Sequence, residues 1–225
     1  MYQPHPSKML NELFRAKPYQ GAPPETAEFI FVGLDANFEA DLGSSICDRV
    51  REYLQDGVAF WRCHKVQHHP FLLPGYTGDG QLYHRNFKQI GFGPEDAHRV
   101  SFVELLHVPT FGRSQFVAED LDAAHLDWLN SLMMGGAIRN VFLPDKVIRL
   151  MRRTRRTSPR FRWLRAPIPN QVLPKLHEFG ETTIYQHLHF ANYGRFQERM
   201  RREAVAIGEL GTGHCAGESS EGRRP

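Results

Sequence analysis

The stretch Ala27-Glu28-Phe29-Ile30-Phe31-Val32-Gly33-Leu34-Asp35-Ala36-Asn37-Phe38 decides the reading of this chain. An apolar run of strand length ends in a glycine, and an acid and an amide follow at once. A continuous apolar run is the pattern of a strand buried on both faces. In open α/β sheets, ligands bind just beyond the carboxyl ends of such strands. An Asp at that position faces a cleft while the strand behind holds it rigid. The competing reading is local, because Asp and Asn also cap turns and helix starts.

The rest of the chain supports the first reading. Three more segments read as strands, at 99–105, 139–143 and 181–187. Helical spacing of apolar residues predicts helices over 7–16, 46–56, 81–90, 118–133, 145–153 and 193–207. A further helix over 170–178 is interrupted by Pro174. Residues 62–80, rich in His, Pro and Gly, read as a long loop, and long loops in compact domains are usually functional or disordered. Strands separated by helices imply a parallel sheet covered on both faces. The expected fold is therefore α/β, a three-layer α/β/α sandwich around a central, mostly parallel four-stranded sheet. One domain over 1–207 is expected, followed by a small, polar, disordered tail over 208–225.

Composition sets the outer limits. At 225 residues, 41% of them hydrophobic, the chain has the material for one full core. No run of 18 apolar residues occurs, so no membrane span is expected. The opening Met1-Tyr2-Gln3-Pro4-His5-Pro6 lacks the pattern of a secretory signal. Cys47, Cys63 and Cys215 are few, odd in number and far apart, which reads as reduced thiols in a cytoplasmic protein.

A net charge of +3 does not by itself suggest nucleic acid, but its distribution does. Arg149, Arg152, Arg153, Arg155, Arg156, Arg160, Arg162 and Arg165 follow one another with no acid among them. Arg195, Arg199, Arg201 and Arg202 form a second group. Guanidinium clusters grip phosphates through paired hydrogen bonds and leave the footprint of nucleic-acid binding. The plain alternative is a solvated basic loop, but Phe161 and Trp163 alternate with the arginines and favour a surface that touches something.

Four segments, in order, resemble the uracil-DNA glycosylase superfamily, over roughly residues 27–200. Gly33-Leu34-Asp35-Ala36-Asn37-Phe38 is similar to its first motif, a strand ending in Gly-x-Asp/Asn-Pro. Glu104-Leu105-Leu106-His107-Val108-Pro109-Thr110 looks like the mismatch-specific uracil and thymine glycosylase branch, where a similar strand ends in a Pro-Thr or Thr-Thr pair. Val141-Phe142-Leu143-Pro144-Asp145-Lys146-Val147 is similar to that branch's strand followed by Asn-Gly-Lys. Gln186-His187-Leu188-His189-Phe190-Ala191-Asn192-Tyr193-Gly194-Arg195 sits where the superfamily carries its second motif. The chain departs from the pattern in three places: Pro is missing after Asp35, the second motif lacks Pro-Ser, and the third segment lacks Asn-Gly. A distant member is implied, whose substrate need not be uracil.

The resemblance implies a monofunctional DNA glycosylase, active on an extruded base. It puts Asp35 on the group that directs the attacking water and Asn37 on the position that screens the 5-substituent of the base. Breaking the bond builds positive charge on the sugar and negative charge on the base. Asp35 would stabilise the cation, and His187 or His189 would donate to the leaving base. Phe38 and Tyr76 are candidate stacking groups, as is Phe111. Asn192, Tyr193 or Phe190 would fill the gap in the stack, with Arg195, Arg152, Arg153, Arg155 and Arg156 on phosphates. No lysine stands at a catalytic position, so lyase activity is not expected.

Glu104 takes a position often held by Asn in that branch. An ionised Glu is an acceptor only, so it repels the O4 of uracil and accepts from the amine of cytosine. The expected target is therefore a modified or foreign cytosine, such as 5-hydroxymethylcytosine or its glucosylated form, as in phage DNA, with uracil or mismatched thymine next. A simpler reading leaves Glu104 paired with an arginine or protonated.

Two other functions remain open: a DNA-binding protein that kept the fold without the chemistry, and a metal-dependent hydrolase. The His187-x-His189 pair suits metal ligation, but no further ligand lies at a telling spacing apart from His68-His69. No metal or cofactor is assigned, and DNA is the expected partner of a monomer.

Overall fold

The computed structural model describes residues 2–76, 78–112, 115–156 and 158–212. Its centre is a six-stranded sheet: β1 (Tyr19–Gly21), β2 (Phe29–Gly33), β3 (Val100–Glu104), β4 (Arg139–Pro144), β5 (Lys175–Phe179) and β6 (Thr182–His187). The spatial order is β1-β3-β2-β4-β6-β5. The four inner strands run parallel, and the two edges, β1 and β5, run antiparallel to their neighbours. The α/β class stands, with six strands in place of the expected four.

Alternation along each inner strand builds two different cores. Ile30, Val32, Val103, Val141, Leu143 and Ile184 point to one face and pack with α5 (Ala123–Met134) and α6 (Asp145–Thr154). Phe29, Phe31, Val100, Phe102 and Phe142 point to the other face. There they meet Trp61 of α3 (Gly57–His64), Phe87 of α4 (Gln81–Phe87) and Ile207 of α7 (Gln197–Thr212). The second face is aromatic: the Phe31 and Phe142 rings stack with centroids 4.7 Å apart. Each fully buried side chain of this size contributes about 1.5–3 kcal/mol through removal from water.

A third apolar cluster roofs the carboxyl end of β2. It gathers Leu10 and Phe14 of α1 (Lys8–Ala16), Val50 and Tyr53 of α2 (Ser44–Gln55), and Phe38, Phe71 and Tyr76. The expected 62–80 loop is thus built in part: its first residues end α3, Pro70–Leu72 forms a single 3₁₀ turn, and His68, His69 and Phe71 are buried.

Three sequence expectations need correction. Residues 175–179 are strand β5, not helix; Pro174 stands just before it, and its carbonyl accepts from the Gln186 amide. The last helix begins at Gln197, after a turn at 194–196, and runs on to Thr212. Residues 208–212 are therefore helical, because Gly208 and Gly211 lie against Ile90 and Phe92, where a side chain would collide. The remainder of the expected tail, Cys215 included, lies outside the described residues. The helix predicted from 118 starts at Ala123, where the Asp122 carboxylate accepts from the His125 amide.

Candidate active site

The carboxyl ends of β2, β3 and β6 open into a cleft of about 590 Å³. Gly33, Asp35, Asn37, Phe38, His69, Phe71, Tyr83, His84, Glu104 and His189 are among its lining. A second chamber of about 740 Å³ lies beside it, over β4 and β6, and shares Leu34, His189 and Ala191 with it.

Asp35 is fixed by the segment that follows β3. Beyond the sheet, the two chains continue side by side: the Thr110 amide donates to the Ala36 carbonyl at 2.9 Å, and the Phe38 amide to the Thr110 carbonyl at 3.0 Å. This register puts the Thr110 hydroxyl against Asp35, to which it donates a short hydrogen bond. The Asn37 amide nitrogen lies 3.5 Å from the same carboxylate oxygen, 3.1 Å from the Thr110 hydroxyl and 2.8 Å from the Gly112 carbonyl. Asn37 therefore clamps the Asp35 loop with its donor end. Burial pushes the Asp35 carboxyl above its ordinary range, and the Thr110 and Asn37 hydrogen bonds oppose that rise.

Glu104, at the end of β3, lies across Gly33: a Cβ on Gly33 would fall 1.9 Å from Glu104 Oε2. A larger residue at Gly33 would displace the Glu104 carboxyl from this position. Glu104 Oε2 is buried without a hydrogen-bond partner among the described residues. Its backbone carbonyl accepts from His125 Nε2 at 2.7 Å. Burial, and then the charge of Asp35, push the Glu104 carboxyl up to about 8. Glu104 is thus mostly uncharged at neutral pH and can donate as well as accept. The ionised, acceptor-only Glu104 expected from the sequence does not hold, since among the described residues no arginine or lysine lines the cleft to keep the charge.

The two histidines separate. His187 is buried among Phe31, Phe142 and Phe190, and neither ring nitrogen has a partner among the described residues. It lines the chamber but not the cleft of Asp35. Burial lowers it to about 3. His189 lines both spaces, with its ring 5.2 Å from that of Tyr83. Burial, with a smaller effect from Lys146, lowers it to about 4, so it is neutral at pH 7. The Ala191 amide donates to His189 Nδ1 at 3.3 Å. In the neutral ring this leaves the proton on Nε2, which becomes the donor. A neutral imidazole of this kind can hydrogen-bond to an oxygen that gains negative charge.

The aromatic wall differs in detail from the expectation. Phe38 and Phe71 line the cleft, while Tyr76 stacks behind Phe71 with centroids 4.2 Å apart and planes 5° off parallel. The Tyr76 hydroxyl donates to the Asp79 carbonyl. Tyr76 therefore stiffens the wall behind Phe71. Phe111 packs edge-on against His5, outside the cleft lining. The floor carries a polar group that sequence reasoning did not place. His68 and His84 are hydrogen-bonded at 3.0 Å, and His69 lies 3.3 Å from Gln20 Oε1. Burial keeps all three rings neutral. They are remote in sequence from the His187-x-His189 pair. Among the described residues, no group of three His, Cys, Asp or Glu side chains is arranged to hold a metal ion.

The loop after β6 stands at the mouth. Asn86 of α4 donates to the Phe190 and Asn192 carbonyls and braces the loop from below. Tyr193, 74% exposed, projects at its tip, and the Arg195 guanidinium lies over the Phe196 ring. Asn192, Lys146, Arg149 and Arg199 line the chamber beside it.

Apart from Arg149, the larger arginine cluster lies elsewhere. Arg152 and Arg155 donate to the Leu164 and Phe161 carbonyls and tie the following loop to α6. Arg160 pairs with Asp127, and Arg149 with Asp145. Arg153 and Arg156 are exposed beside Glu119. Because α6 starts at the cleft end of β4, ten residues carry its far end about 15 Å away.

Among the functional side chains, Thr110 was quoted in the sequence without a role, and Tyr83 was missed. A polar residue in register with Asp35 across the β2–β3 extension is the signal for Thr110. Comparison with protein-family models and with curated proteins finds no match to this chain.

Proposed function

We propose that this chain is a monofunctional DNA glycosylase that hydrolyses the N-glycosidic bond of an extruded, modified or aberrant base. The observation that carries the reading is the shared cleft of Asp35 and His189. A carboxylate gripped by Thr110 and Asn37 lines it, together with a neutral imidazole whose donor is on Nε2. Splitting a glycosidic bond calls for that pairing: a carboxylate beside the sugar cation and a donor for the charge on the departing base. Each such donor contributes about 3 kcal/mol to lowering the barrier.

Phe71 offers a flat apolar face for the base, and Asp35 receives the proton of the attacking water. Extrusion of the base is assigned to the braced 188–194 loop, with exposed Tyr193 filling the gap in the stack. Lys146, Arg195 and Arg199 at the mouth would meet phosphates, ahead of the distant Arg152–Arg156 group. A modified cytosine is the favoured base, with uracil and mismatched thymine next. No helix among the described residues is long and apolar enough to cross a membrane.

The test is base release. Purified protein is incubated with duplexes carrying uracil, thymine opposite guanine, cytosine, 5-hydroxymethylcytosine or its glucosylated form, and alkali then reveals abasic sites. Cleavage at one of these bases is expected. Binding to all the duplexes without cleavage would instead favour a non-enzymatic DNA-binding protein.

A further inference from the structure

We propose that Glu104, in its uncharged form, pairs with the N3–N4 edge of a cytosine-type base and delivers its proton to N3 as the glycosidic bond breaks. This inference rests on the glycosylase reading of the cleft. Glu104 lines the same cleft as Asp35, and its Oε2 is buried with no partner among the described residues. Such an orphaned oxygen costs about 1–3 kcal/mol in a folded protein, a cost that a ligand group can remove.

Among the described residues, burial and the carboxylate of Asp35, on the β2 side, disfavour the charge of Glu104. Tyr53 from α2 and Tyr83 from α4 are uncharged, their hydroxyls pushed up chiefly by burial and in part by Glu104. His69 and His84 on the cleft floor are neutral, and His125 from α5 is engaged at its carbonyl. Among the described residues, no lysine or arginine lines the cleft. Its titration near 8 therefore leaves a proton available at neutral pH.

The chemistry balances. A carboxylic acid offers O–H to cytosine N3 and C=O to the N4 amine, two parallel hydrogen bonds. As the C1′–N1 bond breaks, its electron pair stays on the base. The proton passed to N3 makes the leaving group a neutral cytosine rather than an anion. Water adds to C1′ and yields its proton to Asp35. Glu104 is left as a carboxylate that accepts from both N3–H and N4–H, and solvent exchange restores the starting protonation. Uracil already carries a proton on N3 and cannot be activated in this way. Cytosine is thus selected by the proton it accepts rather than by the edge it presents, since an uncharged carboxyl can pair with either base.

The experiment compares release of 5-hydroxymethylcytosine and uracil by the unsubstituted protein and by Glu104→Gln. An amide keeps both hydrogen bonds to either base but has no proton to give. Expected is a fall of at least about 100-fold in kcat for the cytosine-type base with KM little changed, and so a collapse of the cytosine-to-uracil ratio. An unchanged ratio would overturn the inference while leaving the glycosylase reading intact. Absence of base release from every duplex by the unsubstituted protein would overturn both. The pH profile of the unsubstituted protein gives a readout that needs no variant. Cytosine-type release should fall tenfold per pH unit above about 8, and a flat profile there contradicts proton delivery.

Discussion

Two glutamates with buried carboxyl oxygens stand at the carboxyl side of the sheet, two strands apart, and do opposite things. Glu203 of α7 lies under the β6 loop, and both of its oxygens are used: it accepts from the Leu188 amide at 2.6 Å and from Arg199 Nε at 2.7 Å. Glu104, over β2 and β3, leaves Oε2 without a partner among the described residues and has a second carboxylate for a neighbour. Burial raises both carboxyls, but only Glu203 has a cation and an amide that oppose the rise. The lesson is that burial of an acid does not mark a site. What marks it is an acid whose surroundings supply nothing to satisfy it, next to a space that a ligand could fill.

The sharpest way to break this comparison is through pH. Glu104 is raised from the value of 4.5 that it has in the unfolded chain to about 8 in the fold. Its folded form holds the proton more tightly, so its stabilising effect is complete below 4.5 and is lost as pH rises through the folded value. Glu104→Gln removes this loss. Between pH 5 and pH 8 the unsubstituted protein should lose about 3–4 kcal/mol relative to the variant. Denaturant unfolding at the two pH values checks it, and equal losses would mean that Glu104 is satisfied after all.

Glu203→Ala should do the reverse at every pH near neutrality. It leaves Arg199 without its carboxylate and the Leu188 amide without its acceptor, at a cost of about 3 kcal/mol. The same unfolding curves measure it, and a cost below about 1 kcal/mol would contradict the structural role. Thr110→Val is smaller, about 2 kcal/mol for one hydrogen bond to a charged group. Because Thr110 lowers the Asp35 carboxyl, its loss should move the acid limb of the base-release profile to higher pH. An unmoved limb would detach Thr110 from Asp35. Smallest of all, Arg153→Ala with Arg156→Ala should change stability by less than about 0.5 kcal/mol. Lying at the end of α6 away from the chamber, they should leave the salt dependence of duplex binding nearly unaltered.

The central fold was legible because its two middle strands are apolar on both faces, as in Phe29–Val32 and Val141–Leu143. The edges were not. β1 is three residues long, and β5 alternates buried and exposed positions in a stretch that Pro174 made ambiguous. Asp35 and His189 could be read from their places just beyond β2 and β6. The role of Thr110 depends on a register between two loops, and the depth of His187 on three phenylalanines from three strands and loops. Neither is written in local sequence. The arginine run shows the opposite failure. It was conspicuous in the sequence, yet Arg152 and Arg155 spend their donors on carbonyls of their own loop. For Glu104 the residue type was visible and its protonation was not, since that depends on partners the fold does not supply.

The most direct test of the account sets Asp35→Asn beside the unsubstituted protein on a duplex with one 5-hydroxymethylcytosine, measuring abasic sites and duplex affinity together. Asparagine fits the same clamp of Thr110 and Asn37 but carries no charge and takes no proton. The account predicts base release reduced at least about 100-fold with affinity held within a few-fold. Base release at the unsubstituted rate would contradict it, because the bond would then break without the carboxylate that the cleft is built around.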